Sequence, residues 1–97
     1  MGDRKVKWNK RALLRLQQIS DWYEMNVGIK ARDNFRRDTL SAVEALRAMP
    51  TIGKLDLLTS SETQKRYTFV SHPLIKIEYR FTEEELTIIT LRATKQS

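Results

Sequence analysis

The sequence has no cysteine and only one histidine among its 97 residues. Without cysteine, neither a disulfide framework nor a thiolate metal site can form, and one histidine leaves too few ligands for a zinc site. The chain also lacks long apolar runs, and its first residues are charged where a signal peptide would carry its apolar segment. We therefore expect a cytoplasmic protein with no cofactor, no metal and no membrane partner.

Positive charge is what the chain has in excess. Lys and Arg number 18 against 12 Asp and Glu, which gives a net charge of +6. This charge favours acidic partners such as nucleic acid, the ribosome or an acidic protein segment, although cationic side chains also serve solubility alone. A chain of this length can build one compact core, so we expect a single domain over residues 1–97.

A short strand is predicted near the beginning of the chain. Val6 and Trp8 alternate with lysines, which is typical of a half-buried strand over residues 4–8. Asn9 follows at the N-cap position of a helix, so we expect that helix to begin near Lys10.

Two amphipathic helices are predicted before residue 50, because apolar residues recur there at spacings of three and four. The two series are Ala12, Leu13, Leu16, Ile19 and Tyr23, and then Ala31, Phe35, Ala42 and Leu46. Gly28 can take the left-handed conformation that ends a helix, and Pro50 stops the second one. Trp22 is expected to pack within the resulting antiparallel hairpin, and Trp8 within the core.

The chain from residue 51 onward has the period of strands rather than helices. Residues 51–64 predict a loop, held to the core by Leu55, Leu57 and Leu58. Three β-rich segments follow, over residues 66–72, 75–81 and 86–91. The element order is β-α-α-β-β-β, which predicts an α+β fold with the helical hairpin packed on one face of a curved, mainly antiparallel sheet.

The opposite face of that sheet is predicted to carry charge. Alternation places on it Arg66, Thr68, His72, Lys76, Glu78 and Arg80. Arginines in such a cluster could bind a phosphodiester bidentately, although pairing of Glu78 with Lys76 or Arg80 would make them ordinary cross-strand charges. His72 is of the residue type best suited to proton transfer near neutral pH, but a lone histidine beside a proline turn is more often structural.

Motifs of common enzymes are missing from the sequence. It contains no glycine-rich phosphate loop and no recognisable serine, histidine and carboxylate trio. A standard metabolic enzyme is therefore a poor fit.

Several short segments, taken in order, carry a resemblance to a known family. They are Val6-Lys-Trp8 before Ala12-Leu13, the turn Pro50-x-Ile52-Gly53-Lys54, the pair Arg66-Tyr67, and Ile75-Lys-Ile-Glu-Tyr-Arg80. In this order and spacing the chain resembles, over nearly its whole length, toxins of the RelE/ParE superfamily from bacterial type II toxin-antitoxin (plasmid stabilization) systems. The resemblance implies the same fold, growth inhibition as the activity, and a cognate antitoxin protein as the partner.

The RelE-like branch implies one set of functional residues. Its members cleave messenger RNA on the ribosome with basic residues of the sheet and a group near the C-terminus. If this chain is such a metal-independent endoribonuclease, its catalytic residues by position are Arg66 and Arg80, with His72 and Lys95 as weaker candidates. The candidates for binding the target or nucleic acid are Lys76, Arg92 and Lys95.

The C-terminus departs from the RelE-like pattern. Many relatives end in a His-x-Arg-Arg or arginine-rich motif followed by tyrosine, whereas this chain reads Leu91-Arg-Ala-Thr-Lys-Gln-Ser97. The resemblance therefore favours the ParE-like branch, which inhibits DNA gyrase by binding and needs no catalytic residue. Ribosome-dependent mRNA cleavage, and a degenerate non-toxic binding module of the same fold, are the alternatives.

Overall fold

Five strands and two long helices make up the part of the chain that the structure describes, residues 4–58 and 60–93. In this computed structural model the elements are β1 (Lys5–Trp8), α1 (Lys10–Asn26), α2 (Ile29–Ala48), β2 (Lys54–Leu55), β3 (Tyr67–His72), β4 (Ile75–Phe81) and β5 (Glu85–Ala93), with a 3-10 turn (Pro50–Ile52) before β2. Lys95, one of the site residues expected from the sequence, lies outside the described residues. Within them, no helix is both long and apolar enough to cross a membrane.

The strands form one mixed sheet in the order β1-β5-β4-β3-β2. β1 runs parallel to β5, and the other neighbours are antiparallel. The helical hairpin connects β1 to the rest of the sheet and covers one face, with α1 against β5 and α2 against β3 and β5. The predicted α+β architecture is confirmed. The addition is β2, whose two residues are too few to show a strand period.

The hairpin differs from the prediction in how its helices begin and join. Asn9 makes no side-chain cap, and only its carbonyl accepts a helical hydrogen bond, from the Leu13 amide at 3.0 Å. Gly28 has φ 136° and ψ 172°, so it is extended rather than left-handed helical, and it precedes α2. Essentially only glycine adopts this backbone conformation, so the junction between the helices requires a glycine.

The core lies between the hairpin and the sheet. Its fully buried side chains include Phe35 and Leu46 of α2 and Ile77 and Tyr79 of β4. Trp8 packs against this core as predicted. The prediction for Trp22 was wrong, because its side chain is 55% exposed on α1.

Two irregularities in strand pairing decide which residues face the core. One lies between Val70 and His72 in β3, and the other shifts the β4–β5 register between Glu78 and Tyr79. A β-bulge changes the face on which the following side chains emerge. Strict alternation therefore fails at these points, and β5 buries both Ile88 and Leu91 in the core.

The loop between β2 and β3 is not held by its leucines. Leu57 and Leu58 are 79% and 96% exposed, so the prediction that they pin the loop to the core was wrong. Polar contacts hold the loop instead: the Asp56 amide donates to the Arg66 carbonyl at 2.8 Å, and the Arg66 amide donates to Ser60 Oγ at 2.9 Å.

Candidate functional site

The sheet surface turned away from the hairpin is the candidate site, and we call it the open face. Register partners on neighbouring strands project to the same side of a sheet, so the side chains opposite the core-facing ones can be identified. They are Lys5, Lys7, Lys54, Arg66, Thr68, Val70, Lys76, Glu78, Arg80, Glu85, Thr87, Thr90 and Arg92. Glu78 is the carboxylate at the centre of this set, on β4, and Glu85 lies at the start of β5, paired in register with Lys5.

Glu78 lies at the centre of the open face and is shared by two arginines. Its side chain is only 1% exposed. Arg66 Nη1 donates to Glu78 Oε1 at 3.1 Å, and Arg92 Nε lies 2.9 Å from Glu78 Oε2 as an ion pair, although its N–H does not align as a hydrogen bond. The partners of Glu78 are therefore not Lys76 or Arg80, which the sequence offered as an alternative. Arg92 of β5 and Arg66, which directly precedes β3, both sit diagonally to Glu78, within reach of a long side chain.

The negative charge of this cluster is buried, whereas its two positive charges are partly exposed. A carboxylate removed from water is unfavourable unless cations and hydrogen bonds compensate it, and here two guanidinium groups do so. The side chains of Arg66 and Arg92 remain 32% and 43% exposed above the covered carboxylate. A ligand that approaches the open face therefore meets positive charge first.

Lys76 and Arg80 extend the positive surface along β4, on either side of Glu78. Both are partly buried. Within residues 4–58 and 60–93, no carboxylate forms an ion pair with either of them. Lys7 lies on the same side, beside Thr87, which is paired with Arg80. These cations can therefore form ion pairs with an acidic group of a binding partner.

His72 does not belong to the open face, contrary to the prediction. Its Nδ1 lies 2.9 Å from Asp38 Oδ2 of α2, and its ring meets Tyr23 and Phe35 edge-on, with centroids 5.5 and 5.7 Å away. The register shift after Val70 turns the His72 side chain to the hairpin side. His72 thus joins β3 to α2 and cannot transfer a proton to a ligand on the open face.

Tyr79 fixes the turn that carries Lys54 to the sheet. Its hydroxyl donates to the Pro50 carbonyl at 2.6 Å. Burial raises the pKa of Tyr79 to about 12, against the opposing effect of the Gly53 backbone hydrogen bond. Lys54 directly follows this turn and pairs in register with Thr68. The buried contact between Tyr79 and the turn therefore positions one edge of the open face.

A second feature lies on the hairpin side of the molecule. A groove of about 560 Å³ runs between α1 and the ends of β4 and β5, lined in part by Arg15, Trp22 and Leu74. Apolar side chains also stay exposed elsewhere on both helices, among them Leu13, Leu14, Met25 and Leu40. An apolar groove with a cation at its edge is a candidate docking surface.

Comparison with known proteins supports the fold. A chain described as "Chromosomal ParDE TA system from P. aeruginosa" superposes with a TM-score of 0.75 at 19% identity, over 95% of this chain and 97% of that one. A chain of the YoeB dimer from Staphylococcus aureus superposes with a TM-score of 0.64 at 10% identity, over 97% of this chain and 100% of that one. No protein-family model and no curated protein matches the sequence. The chain therefore has the RelE/ParE-like fold, as the sequence resemblance implied.

The open face contains residues that the sequence interpretation missed. Lys7 and Lys54 join it only through the pairing of β1 with β5 and of β2 with β3. The alternation in β1 placed Lys7 opposite the core, but the neighbour of β1 could not be read from that pattern. The shared contact of Glu78 with Arg66 and Arg92 also depends on strand register, which alternation leaves open.

Proposed function

We propose that the chain is the toxin of a bacterial type II toxin-antitoxin module, and that it inhibits growth by binding DNA gyrase until a cognate antitoxin neutralises it. Such a toxin acts in the cytoplasm, and in a plasmid-borne module it serves plasmid stabilization. The RelE/ParE-like fold supports the toxin role. The observation that carries the binding mode is the open face itself, which is rich in cations, has no histidine among its described residues, and holds its central carboxylate, Glu78, in contact with two arginines.

The hairpin groove supports the antitoxin partner. Amphipathic partner segments commonly dock by laying apolar side chains into such grooves. Trp22 and Leu74 offer apolar contact, and Arg15 offers a cation at the rim. An antitoxin segment with apolar and acidic residues matches this combination and would leave its own signature, protection of Trp22 from solvent.

A supercoiling assay tests the gyrase proposal. Purified chain is expected to inhibit supercoiling of relaxed plasmid by gyrase, and the double variant Arg66→Ala/Arg80→Ala is expected to lose most of that inhibition. The matched control, Arg36→Ala/Arg37→Ala, removes the same charge from the exposed surface of α2 and should inhibit like the parent chain. Full supercoiling at saturating protein would refute gyrase as the target.

The cationic open face also favours a second candidate, a ribosome-dependent endoribonuclease of the RelE type. Arg66 and Arg80 could stabilise negative charge that develops on a phosphodiester, and Lys76 and Arg92 could hold the neighbouring backbone. Loss of message integrity during translation in vitro, abolished by the same double variant, would select this candidate. Normal growth of a bacterial host with confirmed folded protein would instead indicate a degenerate, non-toxic binding module.

A further inference from the structure

The segment around β2 exposes apolar side chains that the fold itself does not use. Five of the ten residues 49–58 are large apolar side chains at least 40% exposed, namely Met49, Ile52, Leu55, Leu57 and Leu58. Single exposed apolar side chains are ordinary on a protein surface, whereas several within one short segment are typical of a binding surface. Turns are usually filled by small polar residues, so folding gives no reason for Leu57 and Leu58.

Hydrogen bonds hold these two leucines in a fixed turn, residues 56–58, which we call the leucine turn. The Leu58 amide donates to Asp56 Oδ1 at 3.0 Å, and the Ser60 amide donates to the Asp56 carbonyl at 3.1 Å. At its base, the Asp56 amide donates to the Arg66 carbonyl at 2.8 Å. A surface that is ordered before binding loses less conformational entropy when it binds. The leucine turn therefore presents a preformed apolar anchor.

Arg66 joins the leucine turn to the open face. Its carbonyl holds the base of the turn, while its side chain donates to Glu78 at the centre of the open face. Lys54 of the open face lies close by in the chain, just before Leu55. Since protein interfaces have an apolar centre and a polar rim, the complement of this surface is a protein with an apolar pocket bordered by carboxylates.

The leucine turn lies away from the groove that is proposed for the antitoxin. Leu55 pairs with Tyr67, which pairs in turn with Tyr79 near the end of β4. The groove contains Leu74 and Ile75, where β4 begins. Strands rise about 3.3 Å per residue, so the two features lie toward opposite ends of the sheet. The leucine turn is therefore a contact surface separate from the groove.

We propose that Leu57 and Leu58 anchor the chain on DNA gyrase by entering an apolar pocket of that protein, while cations of the open face contact carboxylates around it. This proposal rests on the toxin role proposed above and names the surface through which the toxin holds its target. Nucleic acids are bound mainly through their phosphates and through stacking on aromatic rings, so two aliphatic side chains favour a protein partner.

The variant Leu57→Ser/Leu58→Ser tests the anchor without changing the core, because the two side chains are 79% and 96% exposed. Its binding to immobilised gyrase without DNA is expected to weaken by at least about tenfold, since the apolar contact of two leucines is lost. Inhibition of supercoiling should fall with it. Thermal melting shows whether the variant is folded, and should it melt early, Leu58→Ser, which changes the more exposed side chain alone, replaces it.

The matched control is Met25→Ser/Val27→Ser. It removes two apolar side chains that are 86% and 64% exposed where the helices join, far along the chain from the leucine turn. This control should bind gyrase and inhibit supercoiling like the parent chain. Equal weakening in the control and in the leucine variant would show a general loss of apolar surface and would overturn the anchor.

The outcomes separate the anchor from the toxin role. Gyrase binding by the leucine variant equal to that of the parent would overturn the anchor and leave the toxin role standing. In that case, loss of binding to plasmid DNA alone would assign the turn to nucleic acid. Conversion of a parent dimer to a monomer in analytical ultracentrifugation would assign it to a second copy of the chain. Failure of the parent chain to bind gyrase would refute gyrase as the target and the anchor with it.

Discussion

At the scale of single residues, the contact between Tyr79 and the turn before β2 leaves no space for a larger side chain. A Cβ atom on Gly53 would overlap the Tyr79 hydroxyl and lie 2.7 Å from the Thr68 carbonyl oxygen. Gly53 has an ordinary extended backbone, φ −79°, so it is glycine here for space and not for conformation. The short segment Pro50 to Lys54 therefore keeps its place by close packing against a buried ring.

We expect Gly53→Ala to destabilise the fold by about 1 to 3 kcal/mol, the usual cost of overpacking. Urea unfolding monitored by circular dichroism measures this. Adding Tyr79→Phe should not rescue the variant, because the Thr68 carbonyl still blocks the methyl group. Wild-type stability of Gly53→Ala would show that the turn is packed more loosely than described.

The raised pKa of Tyr79 predicts a loss of stability in alkaline solution. In the unfolded chain a tyrosine ionises near pH 10, whereas burial raises the pKa of Tyr79 to about 12 in the folded protein. The stability that this neutral hydroxyl contributes is therefore complete below pH 10 and is lost as the pH rises through about 12. Burial also raises the pKa of Tyr23, which acts in the same direction.

Unfolding free energies measured from about pH 9 to 12 test this directly, with tyrosinate absorbance as a second readout. Tyr79→Phe leaves the Pro50 carbonyl without its donor and should cost about 1 to 3 kcal/mol at neutral pH. It should also flatten the alkaline decline. An equally steep decline in Tyr79→Phe would assign the effect to other groups.

At the scale of elements, Gly28 sets the junction of the two helices. Its φ of 136° and ψ of 172° lie where residues other than glycine are strained, while nothing lies within 4 Å of a Cβ placed there. Gly28→Ala should therefore destabilise through backbone strain alone, by about 1 to 3 kcal/mol. Gly28→Asn should be as unfavourable as alanine. Asparagine tolerates the left-handed helical region. A melting temperature of Gly28→Asn close to that of the parent would therefore support the left-handed cap that the sequence predicted.

The bulge in β3 determines the role of His72 and gives another test. His72→Ala removes the contact with Asp38 and the edge-on contacts with Tyr23 and Phe35, so it should destabilise by about 1 to 2 kcal/mol. Because the side chain lies on the hairpin side, growth inhibition should persist below the melting temperature. Loss of activity with unchanged melting would place His72 in the functional site after all.

Regular elements could be predicted from the sequence because their side-chain period is unbroken. The alternation of β4 fixed its core side and its charged side correctly, including Lys76 and Arg80. The prediction of side-chain positions failed where a local irregularity breaks the two-residue period of a strand. The bulge beside His72 and the two-residue strand at Lys54 leave no periodic pattern, and the partners of Glu78 depend on register between strands distant in sequence.

At the scale of the whole molecule, the two sides of the sheet have different chemistry. The hairpin side exposes apolar residues and contains a groove, and the open side exposes cations around a covered carboxylate. Composition alone gave the net charge of +6 but not its concentration on one face. If the proposed antitoxin docks in the hairpin groove and the proposed target on the open face, mutations can separate the two contacts.

Growth of a bacterial host after induced expression tests most directly whether the open face carries the activity. We expect the parent chain and the control Arg36→Ala/Arg37→Ala to arrest growth, and Arg66→Ala/Arg80→Ala to permit it at equal levels of folded protein. Co-expression of a cognate antitoxin should restore growth in the first two cases. Growth arrest by the Arg66→Ala/Arg80→Ala variant equal to that of the parent would contradict the account.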